Sequence, residues 1–288
     1  MVKAYGIYIG YDYVSVVSRN FDSPVVTPLF IYPLRPGKDR YREVALAFDK
    51  VISGRHVSAG KSSVAQVCFE SHDDVIFLTD CEEGDIPDMT EMMSWELLLR
   101  VGADSLKEYN VSSFKVDENR HFVAASKIKD VEFCINQISR LGLRTITVEP
   151  SIVAAVNLFE SNYDVSSQAL VANIGYRKAS IAYMKGGMLT DIAQYTARAS
   201  ELIPSEDVMK LRAEISARNS IDKSVLMYVT GDLLADKEYS ELLISDIANC
   251  ATIDPFKCLS IHEKTNKELM DKYSTVFGIA VSLSSKTV

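Results

Sequence analysis

The sequence predicts an α/β protein of two lobes, each opening with a β-hairpin sheet. Three observations carry that expectation. Ile9-Gly10-Tyr11 sits between two β-prone runs, and Ile174-Gly175-Tyr176 sits between two more in the second half, a self-similarity that marks an internal repeat. Period-two and period-3.6 apolar patterns alternate along the rest of the chain. The 288 residues suit two domains at roughly 100–200 residues each. No low-complexity linker separates them, so two lobes sharing an intimate interface are expected, the first over 1–150 and the second over 151–288.

Each element has a local reason. Residues 6–18 alternate around Gly10-Tyr11-Asp12 with β-branched and aromatic residues on both sides, which predicts a hairpin. Val44, Ala47, Phe48 and Val51 share one helical face over 39–53, and Gly54 stands where a C-cap belongs. Short strands are expected at 64–69 and 75–79. A helix over 90–106 is capped by Thr90 and turns Met93, Leu97, Leu98, Val101 and Leu106 inward. Strands at 114–116 and 121–125, a helix over 129–141 closed by Gly142, a strand at 145–148 and a helix over 151–159 complete the first half. A meander at 169–174, 179–185 and 188–193, with a Gly186-Gly187 turn, opens the second. Helices over 204–218, 239–247 and 272–285 and a buried strand at 225–229 follow.

Composition narrows the function classes. With 47% hydrophobic and 24% charged residues the chain is globular, not disordered. Its net charge of −8 repels phosphate backbones and anionic lipid, so no nucleic acid and no direct membrane insertion are expected. No apolar stretch approaches the ~20 residues of a spanning helix, and Met1-Val2-Lys3-Ala4 leads into a strand without a signal-peptide core. A cytoplasmic location is expected. Cys68, Cys81, Cys134, Cys250 and Cys258 form no CxxC pair and read as small buried hydrophobes. Cys258 and His262 share helical spacing, but two ligands without a third make no metal site. His56, His72, His121 and His262 occur in dissimilar contexts and no G-x-S-x-G turn is present, so no catalytic residue is assigned. Glu82-Glu83-Gly84-Asp85 reads as a solvated loop, and Gly54-Arg55-His56 with Gly60-Lys61-Ser62-Ser63 lacks the spacing of a phosphate loop. Met92 and Trp95, beside the core-spaced Met93 and Leu97, fit either the core or an adaptable docking surface.

Two glycine hairpins opening two α/β halves resemble the actin, Hsp70 and sugar-kinase superfamily, in which the hairpin tips grip the phosphates of ATP. Glu149-Pro150-Ser151-Ile152-Val153-Ala154-Ala155 resembles its linking helix, Val229-Thr230-Gly231-Asp232 its adenosine turn, and Phe277-Gly278-Ile279-Ala280 its final helix. Val123-Ala124-Ala125-Ser126-Lys127, then Leu141-Gly142-Leu143, then Val148-Glu149-Pro150 resembles the order of parts in the PilM family, relatives of FtsA. That resemblance implies an actin-like ATPase fold with an extra subdomain inserted at about 80–145, and a closing helix, 272–285, returning toward the first lobe. Only 197–216 is left for the small subdomain of the second lobe, enough for one helix and a loop.

The nucleotide motifs depart from that family where they carry chemistry. Tyr8 replaces the first hairpin's acid, Ser15 its lysine, and Tyr11, Asp12 and Tyr13 its small hydroxyl residues. Asn173 replaces the second acid and Ala179 a threonine. At the adenosine turn a run of glycines is reduced to Gly231-Asp232. Mg²⁺-triphosphate needs carboxylates for metal-bound water and cations for phosphate. Losing two or three contacts of roughly 1.5–3 kcal/mol each removes about 3–9 kcal/mol, against the ~8 kcal/mol of a micromolar ligand. Gly10, Tyr11, Asp12, Gly175, Tyr176, Arg177, Gly231 and Asp232 are therefore expected to form a degenerate nucleotide cleft, with Arg177 and Lys178 as solvated charges on a turn. No cofactor is expected, ATP with Mg²⁺ being the alternative. The resemblance implies a non-catalytic, pseudo-ATPase scaffold of a type IV pilus or type II secretion platform, peripheral to the inner membrane. Its implied partner is the tail of a PilN-like single-pass protein, held in a groove between the first lobe's core and its extra subdomain. Self-association, an active ATPase or kinase with Asp12 as its carboxylate, and an FtsA-like filament are the alternatives.

Overall fold

Runs that are apolar on both faces build the two large sheets, because strands covered by helices on either side have no solvent face to make polar. The computed structural model describes residues 3–20, 23–35, 38–58, 60, 62–80, 89–197, 203–263, 265 and 267–285. The first sheet takes β1 (Lys3–Ile9), β2 (Tyr13–Asn20) and β3 (Val25–Pro33) as an antiparallel meander. After α1 (Arg40–Ser53), β4 (Val64–Phe69) lies parallel to β1, and β8 (Arg144–Glu149) parallel to β4 forms the edge. Between β4 and β8 the chain leaves the sheet. There β5 (Val75–Asp80), β6 (Tyr109–Lys115) and β7 (Arg120–Lys127) form a separate three-stranded sheet in the order β5-β7-β6, with α2 (Met89–Val101) beside it and α3 (Ile128–Arg140) leading back.

The second half repeats the plan. After α4 (Ser151–Asn162), β9 (Gln168–Ile174), β10 (Lys178–Lys185) and β11 (Met188–Thr196) make the meander. Following α5 (Ser205–Asn219), β12 (Met227–Thr230) runs parallel to β9, and after α6 (Lys237–Asp246), β13 (Cys250–Thr252) runs parallel to β12. A two-residue strand, β14 (Ser260–Ile261), then crosses to pair with β3, and α7 (Lys267–Ser285) packs on β1 and β2.

One apolar cluster joins the halves: Ile152, Leu158 and Phe159 of α4 and Phe277, Ala280 and Leu283 of α7 meet Tyr8 and Val17 on one side and Val171 and Ala182 on the other. The outer faces are covered separately. Phe48 of α1 and Ile138 of α3 lie over the first sheet, and Leu211 of α5 with Leu243 of α6 over the second. Gly6 sets the approach of α7, since a Cβ there would lie 1.8 Å from the Ala280 carbonyl oxygen and 2.7 Å from the Ser284 nitrogen. Both are backbone atoms, which cannot rotate away. Gly6→Ala is therefore expected to cost about 1–3 kcal/mol, the usual range for overpacking, as a lowered thermal midpoint. An unchanged midpoint would show that α7 docks less tightly than this.

Several elements differ from the sequence expectation. The unexpected β3 contains Pro28, which lacks an N–H for the ladder, and a register shift between Val16 and Val17 occurs where Val17 meets Pro28. The α2 helix stops at Val101 rather than 106 because Gly102 takes φ +81°, and Leu106 belongs to a short 3₁₀ turn. β6 starts at Tyr109, ahead of the expected 114, along an edge whose polar outward residues hid the strand pattern. Cys68 and Cys134 are buried, but Cys258 is exposed, its backbone N–H bound to Asn162 Oδ1; Cys81 lies outside the described residues, as do residues 82–85 and Lys61.

Candidate functional site

Both hairpins close with the same turn: the Gly10 N–H donates to the Tyr13 carbonyl at 2.8 Å, and the Gly175 N–H to the Lys178 carbonyl at 2.9 Å. Strand register then puts one carboxylate beside each. In the parallel β1–β4 pair Ile9 is level with Phe69, so Glu70 comes level with Gly10. In the β9–β12 pair Asn173 is level with Thr230, so Asp232 comes level with Gly175. Glu70 and Asp232 are thus equivalent positions of the repeat.

Each of these carboxylates reaches across to the other lobe. Asp232 Oδ2 accepts the backbone N–H groups of Tyr11 at 3.0 Å and Asp12 at 3.2 Å. Glu70 Oε1 accepts from Asn173 Nδ2 at 2.6 Å, and Asn173 also donates to Ser151 Oγ at 2.8 Å. A Cβ on Gly10 would lie 2.3 Å from Asp232 Oδ2, and one on Gly175 would lie 2.5 Å from Glu70 Oε2 and 3.3 Å from Asp232 Oδ1. Glycine is required at Gly231 as well: φ is +126° there, and a Cβ would meet the Ile174 carbonyl oxygen at 2.3 Å. That glycine lets the chain turn so that Asp232 points into the first hairpin.

Burial dominates the electrostatics. Glu70 and Asp232 are 2% and 1% exposed. Desolvation raises both carboxyls well above the usual range; Asp232's charge adds to the rise at Glu70, and Asp12's to that at Asp232. Tyr8 is fully buried beside them and its phenol is raised by burial and then by Asp232 and Glu70. Asp12 itself is pushed up to about 6 by burial and then by Glu70, with Arg177 opposing.

A second set of bonds runs from the other hairpin. Lys178 is 6% exposed, and its ammonium donates to the carbonyls of Asp74 at 2.9 Å and Ser71 at 3.3 Å. Lys178 is therefore an inter-lobe tie and not a solvated charge on a turn, because strand β10 directs it back under the first lobe's 71–74 turn. Burial lowers its pKa and raises that of the neighbouring Asp74. Further along, Gln194 Oε1 accepts from the Ile76 N–H at 3.3 Å, and Arg120 donates to the Thr190 carbonyl at 2.7 Å.

All eight residues expected at the cleft converge on these turns, Tyr176 and Arg177 at its outer mouth with His72. An Arg177 N–H donates to His72 Nε2 at 3.3 Å, which places the ring proton on Nδ1, and burial with the two neighbouring arginines lowers His72 to about 4. Sequence reasoning missed Glu70, Arg40 and His72. Glu70 had one signal, its place just after the apolar run 64–69, but only register shows its equivalence to Asp232. Trp95 lies elsewhere, 60% exposed on α2, and the Met92 side chain is outside the described residues. Among the described residues no cluster of three or more His, Cys, Asp or Glu side chains suits a metal.

These residues do not fit a Mg²⁺-triphosphate. The two N–H groups of the first turn that would form an anion nest already face Asp232, and the remaining cavity beside the tips, lined by Tyr11, Asp12, Arg40 and Arg177 among others, holds about 180 Å³. Pockets for drug-sized ligands run roughly 300–1,000 Å³.

Comparison with solved structures decides the fold. A chain of a PilM–PilN type IV pilus biogenesis complex superposes with a TM-score of 0.72 over 99% of both chains, at 14% identity. This chain has the actin-like ATPase fold and resembles PilM. A Bacteroides thetaiotaomicron protein with an actin-like ATPase fold matches with a TM-score of 0.60 at 13% identity, covering 88% of this chain and 91% of that one. The cytoplasmic domain of EpsL, an inner-membrane component of the Vibrio cholerae type II secretion system, matches with a TM-score of 0.52 at 7% identity over 92% and 87%. No protein-family model and no curated protein sequence matches. In this actin-like chain the three-stranded sheet is inserted in the PilM-like first lobe, and no helix among the described residues is long and apolar enough to cross a membrane.

Proposed function

We propose that this PilM-like chain is a non-catalytic scaffold of a type IV pilus or type II secretion-like platform that holds the extended tail of a single-pass membrane protein. The observation that carries this reading is a groove of about 690 Å³ between the open edge of β8 and one face of the β6–β7 pair. β8 ends the six-stranded sheet and β6 ends the three-stranded one. Between them Asn110, Ser112 and Phe114 share one face of β6, Val131, Ile135 and Ser139 one face of α3, and β8 lines the floor along its whole length. A free strand edge offers ladder hydrogen bonds to an extended peptide, while Phe114 and Ile135, 48% and 40% exposed, supply apolar anchors for its side chains.

The position supports the reading too. The groove lies between the first lobe's core sheet and the inserted subdomain, the location expected for a partner's tail from the resemblance to PilM. Trp95 does not line it. The cross-lobe carboxylates support a role without turnover, since they draw the lobes together through the chain's own groups.

Tail peptides from single-pass proteins encoded beside this gene provide the test. Binding by fluorescence anisotropy is expected to weaken about tenfold or more in Phe114→Glu and Ile135→Glu, which put a charge where apolar surface is buried, and to be unchanged in Trp95→Ala. Both glutamate sites are exposed, so folding is retained. Loss in Trp95→Ala with the two glutamate variants unaffected would move the docking surface to α2 and end the groove reading.

A further inference from the structure

The small cavity at the mouth of the cleft reverses the sign of the rest of the molecule. In a chain of net charge −8 it is lined by Arg35, Lys38, Arg40 and Arg177 against two carboxylates, Asp12 and Glu43. Glu43 is already engaged, since Arg35 holds it in a two-pronged pair at 2.7 and 2.9 Å. Arg177 donates to the uncharged His72 ring, and the carboxylate it acts on is Asp12, across the same cavity.

Arg40 is fixed more firmly. Its guanidinium lies over the rings of Tyr11 at 4.2 Å and Phe69 at 4.3 Å, and one terminal nitrogen donates to the Ile9 and Gly10 carbonyls at 3.2 and 3.1 Å. Its Nε and the Tyr11 hydroxyl are buried and have no hydrogen-bond partner among the described residues. Buried donors without acceptors are costly, and a rigid guanidinium in a lining where cations outnumber carboxylates suits an oxyanion.

We propose that this cavity binds a small anion carrying one phosphate group. The ligand is not a nucleotide: about 180 Å³ is too little for one, and Asp232 covers the neighbouring turn. The chemistry matches on charge, because a phosphate group carries about −1.5 to −2 near neutral pH and the lining has two cations more than carboxylates. Free phosphate and a small phosphate monoester or acyl phosphate share that chemistry. The site is independent of the peptide groove, and its failure leaves that reading untouched.

Titration calorimetry of the full chain tests it, with inorganic phosphate, acetyl phosphate, acetate and MgATP in separate arms. Phosphate or acetyl phosphate is expected to bind at one site, acetate about tenfold or more weaker, and Arg177→Ala and Lys38→Glu to lose about tenfold or more each, one charge-assisted contact apiece. Lys38 is exposed and Arg177 stands at the outer mouth of the cleft, so neither change threatens folding. Tighter binding of acetyl phosphate than of phosphate identifies an esterified or acyl ligand, and the reverse identifies the free ion. Absence of saturable phosphate binding, binding that both variants retain, or MgATP binding tighter than either small anion overturns the proposal.

Discussion

Asp232→Asn is expected to stabilise the protein at pH 8, by on the order of 1–3 kcal/mol, and to lose that advantage as the pH falls toward 4. The cause is the burial of a carboxylate that burial raises to about 7. Unfolded, the same group ionises near 3.9. Between those values the unfolded chain gives up its proton and the folded chain keeps it, so folding stability falls as pH rises from about 4 to about 7. Asparagine cannot ionise, yet its side-chain oxygen can still accept from the Tyr11 and Asp12 N–H groups. Glu70→Gln should act in the same direction. The two effects should not add, because Asp232's charge is among the causes that raise Glu70. Thermal melts of wild type and both variants across that pH range are the check. A difference that stays flat, or a loss of stability at pH 8, would show that the cross-lobe carboxylates are not held as described.

Lys178→Met should do the opposite and unfold the protein more easily by about 3–5 kcal/mol, the range for removing one partner from a buried charged set. Methionine fills similar space but cannot donate to the Ser71 and Asp74 carbonyls. It also leaves Asp74, itself buried, without the nearby cation that lowers its pKa. Adding Asp74→Asn to Lys178→Met removes the uncompensated carboxylate and is expected to restore part of the loss. Midpoints in urea with both variants read this out; an indifferent Lys178→Met would mean that the Lys178 bonds to Ser71 and Asp74 do not hold the lobes together.

The two experiments address one physical feature from two sides. In an actin-like fold the cleft is where the lobes meet through hairpin tips, and here the tips meet through Asp232, Glu70, Asn173 and Lys178. Each contact replaces solvent or ligand by a protein group of the opposite lobe. These cross-lobe contacts are the physical ground for the proposed scaffold role.

Much of the fold was legible because it is written in local patterns. The turn at Gly10-Tyr11-Asp12, its repeat at Gly175, the helical face of α1, the closure of α3 at Gly142 and the Gly186-Gly187 turn each follow from neighbouring residues. β3 was not legible, since Pro28 breaks the strand pattern and only a register shift in the sheet accommodates it. Nor was β14, two residues whose strand character exists only because β3 lies beside them.

At the cleft, the sequence by itself determined which residues stand at the hairpin tips. It could not say where Asp232 and Lys178 point, and it gave no reason to pair Glu70 with Asp232. Tertiary structure decided that, because the positions of those side chains are set by the parallel registers of β4 on β1 and β12 on β9 and by the docking of one lobe on the other. A charge's environment is a sum over neighbours distant in sequence: the same lysine that a turn would leave in water is buried when the opposite lobe closes over it.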